Sequence, residues 1–245
     1  MNQNVFDNEV FFENYQQLRK DPKSYNKLVE QPAIKKLLPE LKGKTILDLG
    51  CGFGENCIGF VYQGASKVLG IDISRNMLEV ARNENPNEKI EYYLRDMSEI
   101  GSLNHKFDLV FSSLAFHYVK DFKQLLHDIY TLLNENGILL FSQEHPYTTA
   151  PKNGPAWTKN ESGQKLYYHL SDYMESGERH THWFVDNVEK YHRPMSEIIN
   201  LLVSERFRID KVVEPVPDET ALQKRPDLID EFHKTSCIIV KATKI

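Results

Sequence analysis

Apolar residues along the 245-residue chain fall in short runs separated by polar stretches of helical length. Ile46-Leu47-Asp48-Leu49, Lys67-Val68-Leu69-Gly70-Ile71-Asp72, Ile90 to Asp96 and Phe107 to Ser113 read as strands, as does the run from Ile138 to about Glu144. Helices are expected after Gly54, from Ser74 and from about Asp121. Ser74 is a favoured N-cap, and Met77, Leu78 and Ala81 follow it at helical spacing. Alternation of this kind specifies an α/β fold with a parallel sheet. Before it, Glu9 to Leu41 reads as helical, with Pro22, Pro32 and Pro39 cutting the segment into short pieces.

After Glu144 the alternation stops for about fifty residues, His145 to Arg193, rich in aromatics and histidines. Within it, Arg179 to Val185 and Val188 to Arg193 read as the arms of a hairpin turning at Asp186-Asn187, which is expected to cover a ligand crevice as a lid. His180 and His182 share one strand face, but no carboxylate or cysteine completes an obvious ligand set, so no metal is expected. A helix from Ser196 to Glu205 and strands from Phe207 to Glu214 and from Ser236 to Lys244 close the chain, with Glu214 to Glu219 as a surface loop.

Chemistry concentrates where the first strand ends. Gly50, Gly52 and Gly54 remove three Cβ atoms from a strand-to-helix turn, letting a ligand lie against the backbone. About twenty residues on, Asp72 ends the second strand, where doubly wound folds place a ribose-binding acid. Asp96 ends the third and Ser112 the fourth, so Asp48, Asp72, Asp96 and Ser112 are expected to face one crevice at the carboxyl ends of the strands. A nicotinamide dinucleotide loop would read G-x-G-x-x-G, and here Glu55 stands where its third glycine belongs.

These segments, together with Arg95-Asp96-Met97 and Leu133 to Phe141, resemble the class I S-adenosylmethionine-dependent methyltransferases, in particular bacterial enzymes acting on small molecules. The resemblance covers about Lys44 to Lys244, with Ile138 standing where many relatives carry a second glycine. It implies a doubly wound, Rossmann-like sheet of seven mostly parallel strands in the order 3-2-1-4-5-7-6, the last antiparallel, in a single domain. That domain divides into a helical cap (1–43), a cofactor-binding core (44–144), a hairpin lid insertion (145–193) and a C-terminal part of the sheet (194–245). It implies S-adenosylmethionine as cofactor, with Gly50, Cys51 and Gly52 passing its methionine portion, Asp48 meeting the amino group and Asp72 taking the ribose hydroxyls. Ile73 and Met77 would flank the adenine, Asp96 and the Met97 N–H would read its edge, and Ser112 would line the methionine side. Tyr15, Arg19 and Tyr25 of the cap are candidates for sealing the site.

If the acceptor needs a general base, His117 is the first candidate, His145 the second and His192 the third. The fourth strand leads into Ser112-Ser113-Leu114-Ala115 and lacks the Asn/Asp-Pro-Pro-Tyr/Phe sequence often found in amino-methyltransferases of adenine, cytosine or glutamine. A formal charge of −5 supplies no basic field for nucleic acid, so the expected partner is a small molecule. A catalytically silent S-adenosylmethionine-binding regulatory protein is the alternative. Three cysteines, Cys51, Cys57 and Cys237, give neither a disulfide framework nor zinc spacing. With no signal-peptide pattern and no apolar run of spanning length, a cytoplasmic protein with no membrane partner is expected.

Overall fold

Strand residues bury side chains on both faces of the sheet, which is what a sheet covered by helices on both sides demands. Leu47, Leu49, Leu69, Ile71 and Val110 point into one layer, while Ile46, Val68, Leu109 and Phe111 point into the other. A computed structural model of the protein describes residues 3–154 and 156–245. Its central sheet contains β1 (Thr45–Leu49), β2 (Lys67–Asp72), β3 (Ile90–Leu94), β4 (Phe107–Ser112) and β5 (Leu133–Glu144), all parallel. Outside this sheet lie β6 (Ala156–Lys159), β7 (Lys165–His169), β8 (Gly177–Trp183) and β9 (Val185–His192). The sheet is completed by β10 (Phe207–Val213) and β11 (Cys237–Lys244), with β11 antiparallel to both β5 and β10.

The order β3-β2-β1-β4-β5-β11-β10 is the expected doubly wound arrangement. Strand order reverses about β1, so the ends of β1 and β4 diverge and open a crevice between their following loops. β5 starts at Leu133, earlier than the periodicity indicates, because residues 134–137 form an irregularity between the Phe107–Leu133 and Leu109–Ile138 pairings.

Of the helices, α1 (Glu9–Lys20) and α2 (Gln31–Lys35) precede the sheet; α3 (Glu55–Tyr62) and α4 (Arg75–Glu84) follow β1 and β2. Cys57, Phe60 and Leu78 of α3 and α4 join Ile34 in one layer. α5 (Phe122–Leu132) and, past the short α6 (Pro146–Thr149), α7 (Met195–Ser204) fill the other. α8 (Glu219–Lys224) lies between β10 and β11. No helix among the described residues is long and apolar enough to cross a membrane.

Two expectations need correction. Pro32 does not break the cap: a π-helical turn over Asn26–Glu30, with Gln31 N–H donating to the Asn26 carbonyl, runs directly into α2 and accommodates the missing proline donor. The β8–β9 hairpin turns at Phe184, not at Asp186-Asn187. Trp183 pairs with Val185, and Asn187, at φ +60°, sits in an irregularity where β9 carries one extra residue. The insertion also contains a second hairpin, β6–β7, that periodicity missed.

Candidate active site

The turn after β1 is held open by backbone geometry. Gly50 (φ +73°) and Gly54 (φ +76°) lie in the left-handed region, and a Cβ on Gly50 would stand 2.7 Å from Ala115 Cβ. Gly50 and Cys51 donate N–H groups to the Ile71 carbonyl at 2.8 and 3.0 Å, pinning the turn against β2. Gly52 donates to Asp72 Oδ2 at 2.8 Å, while Ser74 N–H donates to Asp72 Oδ1 at 2.9 Å. Each Asp72 oxygen keeps acceptor capacity for a ligand hydroxyl. Burial raises the Asp72 carboxyl to about 6 against the pull of those two donors.

Around this carboxylate runs a narrow cleft lined by Gly50, Gly52, Ile73, Met77, Asp96 and Met97, among others. Asp96 Oδ1 caps the 3-10 turn Met97–Ser102 by accepting from Ser98 N–H at 2.9 Å. The far wall comes from the N-terminal segment and the loop after β4, with Gln3, Phe6, Tyr15, Ser113 and Tyr118. Asp7 fixes that segment: its carboxylate accepts from Ser74 Oγ at 2.6 Å and from Asn76 N–H at 3.1 Å, capping α4 from a distance in sequence.

A second, larger cavity of about 480 Å³ adjoins the cleft, and the two share Phe6, Tyr15, Leu114 and Tyr118 as a common wall. Leu114 holds φ +53°, a strained conformation for a γ-branched residue, fixed by its N–H donating to the Ser142 carbonyl and hydroxyl. Trp157 and Trp183 give the cavity flat apolar walls, and Lys165, Lys234, Arg225 and Glu144 give it charge.

A methyltransferase-domain family model matches residues 47–141. A crystal structure of an S-adenosylmethionine-dependent methyltransferase from Mesorhizobium loti is 35% identical, with a TM-score of 0.81, covering 93% of this chain and 100% of that one. A candidate enzyme of the same kind from Listeria monocytogenes is 36% identical with a TM-score of 0.82, covering 88% and 96%. The chain belongs to the S-adenosylmethionine-dependent methyltransferases. A malonyl-[acyl-carrier protein] O-methyltransferase from Hamiltonella defensa is 32% identical over 103 residues, which is 42% of this methyltransferase and 39% of that protein.

The cleft suits the methyltransferase cofactor. A side-chain-free turn at Gly50, a carboxylate with spare acceptor capacity at Asp72 and an apolar slot at Ile73, Met77 and Met97 match an adenosyl group, with Asp96 at the slot's edge. Asp48, expected to face the crevice, instead lies fully buried near the end of β1 and is not among the residues lining either cavity; it accepts from the Cys57 thiol at 3.3 Å and leaves Oδ1 without a partner. Burial, with a further push from Asp72, raises its carboxyl to about 7, the thiol pulling the other way. A ligand cation nearby would relieve that cost.

Other candidate residues sit elsewhere than expected. Ser112 is buried and donates to the Leu49 carbonyl at 2.8 Å; Ser113, the next residue, reaches the cleft. The Cys51 side chain packs in the core layer with Cys57, leaving only its backbone in the turn. Arg19 and Tyr25 line the second cavity, Arg19 paired with Glu55 at 2.5 Å and Tyr25 donating to Cys237 Sγ at 3.3 Å. Tyr15 borders both spaces.

Of the three histidines, His117 lines the second cavity and burial lowers it to about 4, while His145 and His192 are not among the residues lining either described cavity. His145 is 1% exposed, its Nδ1 accepting from Tyr147 N–H at 3.1 Å and its Nε2 2.8 Å from Glu214 Oε1. His192 is fully buried between Thr149 Oγ1 and the Tyr173 carbonyl, each at 2.8 Å. Both rings are spent on structure. His180 does gain carboxylates, since Glu178 and Glu189 bring three ligand atoms within 4.8 Å of one another on the exposed hairpin, while His182 pairs with Asp186 instead.

Sequence reasoning missed Gln3, Phe6, Tyr118 and Lys234. Tyr118 follows His117 directly and was within reach of a search past the fourth strand; the others come from distant segments with no local signature.

Proposed function

We propose that this methyltransferase acts on a small molecule held in the second cavity, the methyl group crossing the wall of Phe6, Tyr15, Leu114 and Tyr118. That shared wall is the observation that carries the reading. S-adenosylmethionine supplies a methyl group on a cationic sulfur, which an acceptor takes by in-line displacement. The Asp72 carboxylate would accept from the ribose hydroxyls, Asp96 and the Met97 N–H would read the adenine edge, and Asp48 would meet the amino group. Phe6, Tyr15 and Tyr118 would exclude water, which would solvate the starting cation better than the dispersed charge of the transition state. Orienting acceptor against methyl is worth on the order of 7–11 kcal/mol in well-aligned reactions. The lid role of residues 145–193 is supported by Trp157, Lys165 and Trp183, which line the second cavity from that insertion.

The test uses methyl-labelled S-adenosylmethionine with a metabolite extract. Leu18 lines only the second cavity, so Leu18→Trp should abolish transfer while leaving S-adenosylhomocysteine affinity within about threefold. Undiminished transfer would mean the acceptor binds elsewhere. Asp72→Ala should weaken S-adenosylhomocysteine about 10- to 100-fold in calorimetry, and unchanged affinity would remove its ribose role.

A further inference from the structure

We propose that the acceptor is a carboxylate, converted to its methyl ester in the second cavity with its charge met by the Lys234 ammonium. This rests on reading that cavity as the acceptor site.

A hydroxyl is a weak nucleophile until its proton leaves, and an ammonium has no lone pair until it loses one, so either acceptor calls for a wall residue able to take that proton. His117 cannot serve as placed. Its Nδ1 accepts the Glu144 N–H at 3.3 Å, which puts the ring proton on Nε2, facing Glu144 Oε1 at 3.9 Å. Each wall carboxylate is already engaged. Glu144 is paired with Lys190 at 2.6 Å, Asp230 with Lys165 at 2.6 Å and Asp227 with Arg225 at 3.1 Å. Glu231 accepts from Ser236 N–H and Oγ, both at 2.7 Å. Burial raises Tyr15, Tyr25 and Tyr118, so these phenols stay protonated and act as donors.

Lys234 is the converse case. Its Nζ donates to the neutral Thr148 Oγ1 at 3.0 Å and lies 5.2 Å from the Tyr168 ring centre, and among the described residues it makes no ion pair with a carboxylate. Burial lowers its pKa, with a further push from Lys165, while Glu231 and Glu144 attract it from further off and favour the charged form, as a bound anion would. An ammonium has three donors, and two remain here for an anion.

A carboxylate needs no base. One of its oxygens attacks the methyl carbon, the C–O bond forms as the C–S bond breaks, and the bonding pair stays on sulfur. Anion and sulfonium become neutral ester and neutral thioether, and no proton is released.

Methyl-tritiated S-adenosylmethionine is incubated with the full chain and a metabolite extract, and the product is treated with mild alkali. Label released as methanol supports the ester. Transferred label that survives alkali overturns it while leaving methyl transfer standing.

If no label moves, binding decides. The chain's two tryptophans both line this cavity, so fluorescence of the S-adenosylhomocysteine-saturated protein reports its occupancy by phenylacetate or phenylacetamide. Phenylacetate should bind about tenfold or more tighter than the amide. Lys234→Met should erase that preference and Lys234→Arg retain it, with cofactor affinity unchanged in both. Equal binding of acid and amide overturns the proposal. Displacement of S-adenosylhomocysteine by phenylacetate would instead refute the second cavity as the acceptor site.

Discussion

Asp48→Asn should make the cofactor-free protein less sensitive to pH. Asp48 is fully buried, and its carboxyl rises from an ordinary 3.8 to about 7. Between those values the native state holds a proton that the unfolded chain has released, so stability falls as pH rises through the window. The full shift corresponds to about 4 kcal/mol, of which about 2.5 kcal/mol falls between pH 5 and pH 8. The substituted amide would still accept from Cys57 but would place buried N–H groups where Oδ1 has no partner, a pH-independent cost of about 1–3 kcal/mol. Comparing the effect of the substitution at the two pH values cancels that cost and the contribution of His117, which titrates in both proteins. Urea unfolding of both cofactor-free proteins should show the substitution more favourable at pH 8 than at pH 5 by about 2.5 kcal/mol. Parallel pH dependences would refute the claim that Asp48 is destabilised by burial. If Asp48 also meets the cofactor's amino group, the same variant should bind S-adenosylhomocysteine about tenfold more weakly, the usual exchange of stability against function.

Gly50→Ala should lower stability by about 2 kcal/mol or more and weaken cofactor binding, because the new methyl meets Ala115 Cβ at 2.7 Å from a φ of +73°; a wild-type urea midpoint would contradict this. Glu30, fully buried, accepts from Ser113 Oγ at 2.8 Å, Ser142 Oγ at 2.5 Å and Asn26 Nδ2 at 2.8 Å. It thereby ties the cap to the ends of β4 and β5, and Glu30→Ala should cost roughly 2–4 kcal/mol in chemical denaturation. For His117, nitrogen NMR should show the Nε2–H tautomer and titration near 4, the ring remaining neutral at pH 6; an Nδ1–H signal or a midpoint above 6 would reopen its role as a base.

How far the sequence discloses the site depends on how local each cause is. The glycine turn, Asp72 and the Ser74 cap are legible because their partners lie within about twenty residues, or because backbone conformation alone requires the residue type. The sheet is legible for a related reason, since strands buried on both faces carry nearly continuous apolar runs. The partners that engage the rings of His145 and His192, Glu214 and Thr149, lie 69 and 43 residues away, beyond any local pattern. The hairpin turn was misplaced because Asp186-Asn187 carries ordinary turn chemistry, while the actual turn uses Phe184 in a left-handed conformation.

Phe184 can occupy that position because Phe11 packs against it with ring centres 5.6 Å apart and against Trp183 at 5.1 Å, in a cluster that also takes in Phe6, Tyr15 and Tyr118. Edge-on aromatic pairs contribute about 0.5–1.5 kcal/mol each beyond their buried area, enough together to offset one strained residue. Gln3 adds polar anchors, donating to the Asn187 carbonyl at 2.7 Å and accepting from Glu189 N–H at 2.9 Å. The wall shared by the cleft and the second cavity is therefore tied, through Phe6 and Tyr15, to Trp183 on a hairpin some 170 residues later. Neither segment has a periodicity that names the other, so the packing of Phe11 and Tyr15 on Trp183 leaves no trace in the sequence.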